Sequence, residues 1–198
     1  MTIEPIREQD VAEVAALDRK VWGEAAASRQ QIQSRAATFR EGSLVARLPS
    51  GGIVGYAVVQ RVAHLSTGSW DEQTDGGLIA RTHRPDGRLI YGVNLSVLPE
   101  GARHGASRAL IDHVYETFVA RGPCAGIGLG SRLPGFARWA RENGSDVRRY
   151  LARRAGILSR DPELRIYEKN GFRLLWELPQ YFEDPESLNH GALILRNT

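Results

Sequence analysis

The chain is short of the residues that fix a protein by covalent or metal chemistry. Among 198 residues there is one cysteine, Cys124, which excludes an internal disulfide and a cysteine-rich zinc site. The five histidines, His64, His83, His104, His113 and His190, show no ligand spacing such as H-x-x-x-H, so no metal site is expected. No window approaches the roughly 20 apolar residues a membrane span needs. The start, "MTIEPIREQD", carries acids and no apolar core, so nothing marks it for secretion and a cytoplasmic protein is expected. Lysine is almost missing, Lys20 and Lys169 being the only two, and the formal net charge is only +3. That balance is too weak to imply nucleic-acid binding. The arginine bias favours bidentate contacts to phosphate or carboxylate, although genome composition produces the same bias. There is no G-x-S-x-G elbow, and Cys124 reads as a buried small apolar residue, so a nucleophilic hydrolase has no support.

What is present suits a globular α/β domain. Hydrophobic content of 42% and charged content of 25% are ordinary for one, and the length is enough to bury a proper core. "TIEPI" alternates as a short strand, and Asp10 is placed to cap a helix in which Val11, Val14, Leu17, Val21 and Trp22 recur at helical spacing. Ser28 caps a second helix that buries Ile32, Ala36 and Phe39. "SLVARLP", "SGG" and "IVGYAVVQRV" read as a hairpin. Residues 63–87 show little periodicity and form a long excursion with a short extended piece at "GLIA"; such loops are more often functional or mobile than inert. "RLIYGVNLSVL" is a strong strand, and the helix beyond it buries Ala106, Leu110, Ile111, Val114 and Phe118 on one stripe. "CAGIGLG" is a strand whose small residues permit close approach. Residues 131–160 read as a helical insertion, with Ser145 capping its second helix. Asp161 caps another helix, with Pro162 at its first position and Gly171 at its end. "FRLLWELP" and "HGALILRN" close the chain as strands around the acidic loop "QYFEDPESLN". The result is one mixed α/β layer domain spanning residues 1–198.

The chemistry concentrates in "LSVLPEGARHGASRALI", a strand, a turn and a helix start. A helix N-terminus offers unpaired N–H groups and the positive end of the macrodipole, so anions are stabilised there. Gly105 allows close backbone approach, Ser107 adds a hydroxyl, and Arg103 and His104 add side-chain donors. A tight packing turn would use the same small residues. The stretch fits neither G-x-G-x-x-G nor G-x-x-x-x-G-K-[ST], which disfavours nucleotide versions of the idea. Arg148, Arg149, Arg153 and Arg154 form the densest basic run, read either as a solvated helix face or as a site for a phosphate or an acidic acceptor.

"VLPEGARHGASRALI" together with "IYEKNGF" resembles the Gcn5-related N-acetyltransferase (GNAT) family. There a strand ending in V-x-P leads into [QR]-x-x-G-x-[GA] and a helix. The family's leading Gln or Arg falls here on Ala102 and its closing Gly or Ala on Ser107. "GSWDEQTDGG", "RLPGF", "SRDPELRIYEKNGF" and "LPQYFEDPESLNHGAL" are similar, more narrowly, to a branch sometimes fused to carbon–nitrogen hydrolase domains. The resemblance implies a mainly antiparallel central sheet of about six or seven strands, flanked by helices and opened in a V between two central strands. It implies acetyl-CoA, or another acyl-CoA, as co-substrate without a metal. Arg103, His104, Gly105, Ala106 and Ser107 would hold the pyrophosphate, and Leu95, Val97 and Leu98 the pantetheine arm and thioester. The reaction implied is direct transfer to a primary amine of a small molecule or peptide in a ternary complex. Preorganised donors such as an amide near Val97 are worth a few kcal/mol in such a transition state.

Tyr167, in Y-x-x-x-G-F, occupies the place where the family often has the acid that protonates the thiolate. It would serve equally as an aromatic packing its helix onto the sheet. No general base is assigned: the strand position that carries a glutamate in some members is near Tyr91. Glu100, Asp71, Glu72, Glu183, Asp184 and Glu186 read more readily as loop charges. The competing reading is a GNAT-fold module that binds coenzyme A or a metabolite without catalysis. No nucleic acid or membrane partner is expected, and the reading leaves room for a homodimer.

Overall fold

The computed structural model describes residues 1–197. Seven strands form one mostly antiparallel sheet flanked by helices, in the order β1 (Thr2–Pro5), β2 (Ser43–Arg47), β3 (Ile53–Val62), β4 (Leu89–Val97), β5 (Gly126–Arg132), β9 (Gly191–Asn197) and β8 (Arg173–Leu178). Contacts cluster into two compact units, one of residues 1–64 and 74–127, the other of residues 65–73 and 128–197.

In the first unit, β1 (Thr2–Pro5), β2 (Ser43–Arg47), β3 (Ile53–Val62) and β4 (Leu89–Val97) pair antiparallel in sequence. The helices are α1 (Val11–Trp22), α2 (Arg29–Thr38), the short α4 (Pro99–Arg103) and α5 (Ala106–Tyr115). Ser28 caps α2 by accepting from the Gln31 N–H while Gln31 returns a bond to the Ser28 N–H, a reciprocal arrangement that satisfies two orphan donors. The apolar stripe of α5 is buried as its spacing predicts, Phe118 included, although the last turn, residues 116–120, loosens to a π-helix. Cys124 is buried, its thiol directed to the Gly87 carbonyl.

Two local expectations fail here for identifiable reasons. Asp10 makes no cap bond to α1; its carboxylate accepts instead from the Arg7 N–H and the Arg47 guanidinium. "GLIA" is not extended. Asp75, Gly76, Gly77 and Ile79 all have positive φ, and Ile79 is fully buried. The excursion from Thr74 onward is also pinned: Arg35 Nε donates to the Gly77 carbonyl at 2.6 Å, Thr82 to Gln60, and the Arg61 N–H to His83 Nδ1. Buried hydrogen bonds of this kind order the loop that weak periodicity left undefined.

The second unit carries β5 (Gly126–Arg132) from Gly128 onward, α3 (Trp70–Thr74) as far as Gln73, α6 (Phe136–Asn143) and α7 (Val147–Leu151). A two-stranded ribbon, β6 (Arg154–Ala155) with β7 (Leu158–Ser159), precedes α8 (Pro162–Lys169) and the hairpin β8 (Arg173–Leu178)–β9 (Gly191–Asn197). Residues 131–160 are therefore helical only in part. Asp146 rather than Ser145 caps α7, and Arg154 lies on β6 rather than on that helix. The glycines of "GIGLG" do clear space. A Cβ at Gly128 would meet Leu65 at 2.5 Å, and one at Gly130 would meet Tyr181 at 2.1 Å.

Candidate functional site

In the first unit the candidate site grows from the end of β4. Leu98 N–H donates to the Val54 carbonyl at 2.9 Å, and Val97 lies opposite Gly55 in the β3 register. Antiparallel strands alternate the direction of their backbone groups, so the Val97 and Leu95 N–H groups face away from β3. Upstream the register slips: Val58 is opposite Asn94 and Val59 opposite Gly92, leaving Val93 as the extra residue of a bulge. Bulges of this kind re-aim a strand beside a site. Leu95, Val97 and Leu98 are half-buried, with fully buried Ser96 between them.

After β4 the chain turns through α4. Gly101 is required there, since a Cβ would stand 2.6 Å from the Val54 carbonyl oxygen. Gly105 has φ 72° and ψ 24°, the left-handed region, with nothing within 4 Å of its Cβ position. Its special geometry answers the turn, not crowding. Helix α5 then begins at Ala106 with no side chain capping it, so its first-turn N–H groups have no side-chain acceptor. Arg103, His104 and Gly105 are exposed, Ser107 is half-buried and Ala106 is buried. Ala106 thus contributes its backbone and its small size, while Arg103, His104 and Ser107 stand free to donate.

Beside this loop lies a buried polar cluster that spacing did not single out. Asp18 of α1 accepts from the Ser96 hydroxyl, from Asn94 Nδ2 at 3.0 Å, and from the Ala27 N–H at 2.7 Å. Trp22 Nε1 donates to Ser96 at 2.7 Å. The only sequence signal was negative, an aspartate interrupting the apolar stripe of α1.

In the second unit Tyr167 lies on α8, half-buried, its ring edge-on to Phe172 at 5.5 Å. Burial, and then the charge of Glu163, push its phenol well above the ordinary tyrosine range, against the opposing charge of Arg132. Glu163 sits one turn earlier on the same helix. Its carboxylate is 3.3 Å from Ser131 Oγ and 3.6 Å from Arg132 Nε. Burial raises that carboxyl to about 7; Arg132 opposes the rise and Asp161 adds to it. Asp161 organises the start of α8. It accepts from the Glu163 and Leu164 N–H groups, from the Tyr150 hydroxyl at 2.7 Å and from the Gly135 N–H.

The candidate acids divide. Asp184 is buried, accepting from Ser187 and the Glu186 N–H and lying 3.3 Å from Arg132, so it is an internal brace rather than a loop charge. Glu183, Glu186, Asp71, Glu72 and Glu100 are exposed, and Glu72 closes its own turn through the Ser69 N–H. Of the arginine run, Arg148 pairs with Glu177 and Arg154 with Glu168, while Arg149 and Arg153 lie over the Trp139 ring. Among the described residues no group of three or more His, Cys, Asp or Glu could hold a metal ion, and no helix is long and apolar enough to cross a membrane.

No protein-family model matches the chain. A curated relative, the uncharacterised N-acetyltransferase YkwB of Bacillus subtilis (strain 168), is 31% identical over 170 residues, 84% of this chain and 73% of the relative. The probable hydrolase YhcX of the same organism is 26% identical over 98% of this chain, which spans only 38% of that protein. Among solved structures, the GNAT-like decarboxylase GphF in complex with isobutyryl-CoA superposes with a TM-score of 0.84 at 25% identity, covering 100% of this chain and 99% of that one. The relation to YkwB extends over most of both proteins, and it joins a shared fold to a strand–turn–helix of the expected form: the chain belongs to the Gcn5-related N-acetyltransferase family.

Proposed function

We propose that the protein is an acyl-CoA-dependent N-acyltransferase that moves acetyl from acetyl-CoA to a primary amine, by direct attack in a ternary complex. The observation that carries the reading is the start of α5, uncapped, entered through a left-handed Gly105, and flanked by the unengaged donors Arg103, His104 and Ser107. A pyrophosphate would be held there by backbone N–H groups and the helix dipole. Arg103 supplies, one position late, the charge that Ala102 lacks, and Ser107 is small enough to stand where the family pattern has Gly or Ala. The Val97 N–H, facing away from β3, is the donor offered to the thioester oxygen. Tyr167 supplies the proton for the departing thiolate, its phenol being neutral and so carrying that proton at neutral pH.

Isothermal titration with acetyl-CoA, followed by a thiol-release assay over a panel of amines, tests the proposal. Saturable heat that Gly105→Glu abolishes, with amine-dependent thiol release, is the expected result. No heat would overturn it, and heat without release from any amine would leave the non-catalytic binding module as the better description. A second reading is favoured by the GphF similarity: removal of a carboxylate from the acyl group of an acyl-CoA. Carbon dioxide release from malonyl-CoA without an amine distinguishes it.

A further inference from the structure

The second unit carries a charge imbalance that the acyl-transfer reading does not use. From Arg148 to Arg160 the chain has five arginines and no acid. Two of them are neutralised in the fold, Arg148 by Glu177 and Arg154 by Glu168, and Arg160 Nε donates to the Arg154 carbonyl. Arg149 and Arg153 meet no carboxylate among the described residues. Their guanidiniums converge instead on one ring, 5.9 and 5.5 Å from the centre of Trp139. Arg153 also lies 5.5 Å from the centre of the Tyr150 ring, whose hydroxyl is held by Asp161. Aromatic packing thus fixes two like charges beside one indole, and Arg149 is exposed.

Helix α7 also walls a groove of about 390 Å³, in which Leu151 of α7 faces Leu174 and Trp176 of β8. Trp176 is 42% exposed, and so is Ile157 to 92%, at the tip of the ribbon whose Arg154 lines the groove. An apolar surface rimmed by arginine is the usual make-up of a protein contact, where aromatic and arginine side chains supply most of the binding. The chemistry also selects the occupant. A single-stranded nucleic acid would need a free aromatic platform for its bases. Trp139 is already packed by Phe136, Tyr150 and the two guanidiniums, and the Glu177 carboxylate in the groove repels phosphate.

We propose that this face of the second unit docks an acidic segment of a partner protein, with its carboxylates on Arg149 and Arg153 and an apolar side chain among Leu151, Leu174 and Trp176. The surface lies within one unit and stands independently of the acyl-transfer reading.

Titrating the full 15N-labelled chain with a synthetic peptide of Glu-Glu-Leu repeats tests it, read at the indole N–H signals of Trp139 and Trp176 and the Nε–H signals of Arg149 and Arg153. These should shift together and saturate. The matched peptide with serine in place of leucine should bind about tenfold more weakly. Arg149→Glu, at an exposed site, should weaken the Glu-Glu-Leu peptide by about tenfold or more and flatten its salt dependence. Trp176→Ala should weaken it and leave the salt dependence in place. Absence of a saturable shift in wild type would overturn the proposal. Equal binding of the serine peptide would do the same, because charge attraction would then act without the groove. Binding unchanged by both substitutions would place the peptide elsewhere and overturn it too. Tighter binding of oligothymidylate than of the peptide, at one ionic strength, would make the surface a nucleic-acid site instead.

Discussion

The Ser96 hydroxyl on β4 donates to the Asp18 carboxylate on α1, both residues fully buried. This bond ties the strand that carries Val97 to the first helix, and Asn94 and Trp22 complete it. Ser96→Ala removes a donor to Asp18 and the acceptor for Trp22 Nε1. A buried group left unsatisfied costs about 1–3 kcal/mol, so urea unfolding should show a loss of that size. Asp18→Ala strips partners from Ser96, Asn94 and the Ala27 N–H together and should cost more.

Gly105 yields a prediction in which strain and crowding separate. Its Cβ position is open, but φ is 72°. Alanine there should cost about 1–2 kcal/mol from the left-handed conformation alone, read as a lowered urea midpoint. Asparagine, which tolerates that region, should cost less. Equal losses for the two would show that the turn rearranges.

Tyr167→Phe keeps the ring that meets Phe172 edge-on and removes only the hydroxyl. If that hydroxyl protonates the thiolate, thiol release should fall by about 10²-fold or more, while the heat of acetyl-CoA binding persists. Undiminished release would reduce Tyr167 to a packing aromatic.

The Glu163 carboxyl links stability to pH in a direction opposite to the usual acid. Its pKa in the fold is raised from 4.5 to about 7, so between those values the native state binds the proton that the unfolded chain has already lost. Stability from this group therefore falls as pH rises through that window, by up to about 3 kcal/mol. Glu163→Gln mimics the protonated form. Chemical denaturation should find it more stable than wild type at pH 8 and no more stable at pH 5. A constant difference across that range would contradict the burial on which the shift depends.

Local patterns were legible where the cause was local. Ser28 and Gln31 box α2, and the stripe of α5 is read from spacing alone. Ser145 fails because Asp146 one residue later takes the cap by reaching the Arg149 N–H. Arg35 and Asp18 escaped because their partners are remote in sequence: Gly77 lies 42 residues from Arg35, and Ser96 lies 78 from Asp18. Periodicity does place Arg35 on the face of Ile32, yet nothing local announces the carbonyl that makes its burial tolerable. The strand, turn and helix start of residues 95–111 were visible from their order of residues. The environment of Glu163 was not, because it is made by β5 and by the brace at Asp184.

The lone thiol has a practical corollary. Cys124 is 5% exposed, so disulfide reagents meet no accessible sulfur on the folded chain. Ellman's reagent can therefore follow the thiol release expected of the proposed reaction with little background from the protein. Any slow reaction of Cys124 itself becomes a clock for the opening of the core around Gly87.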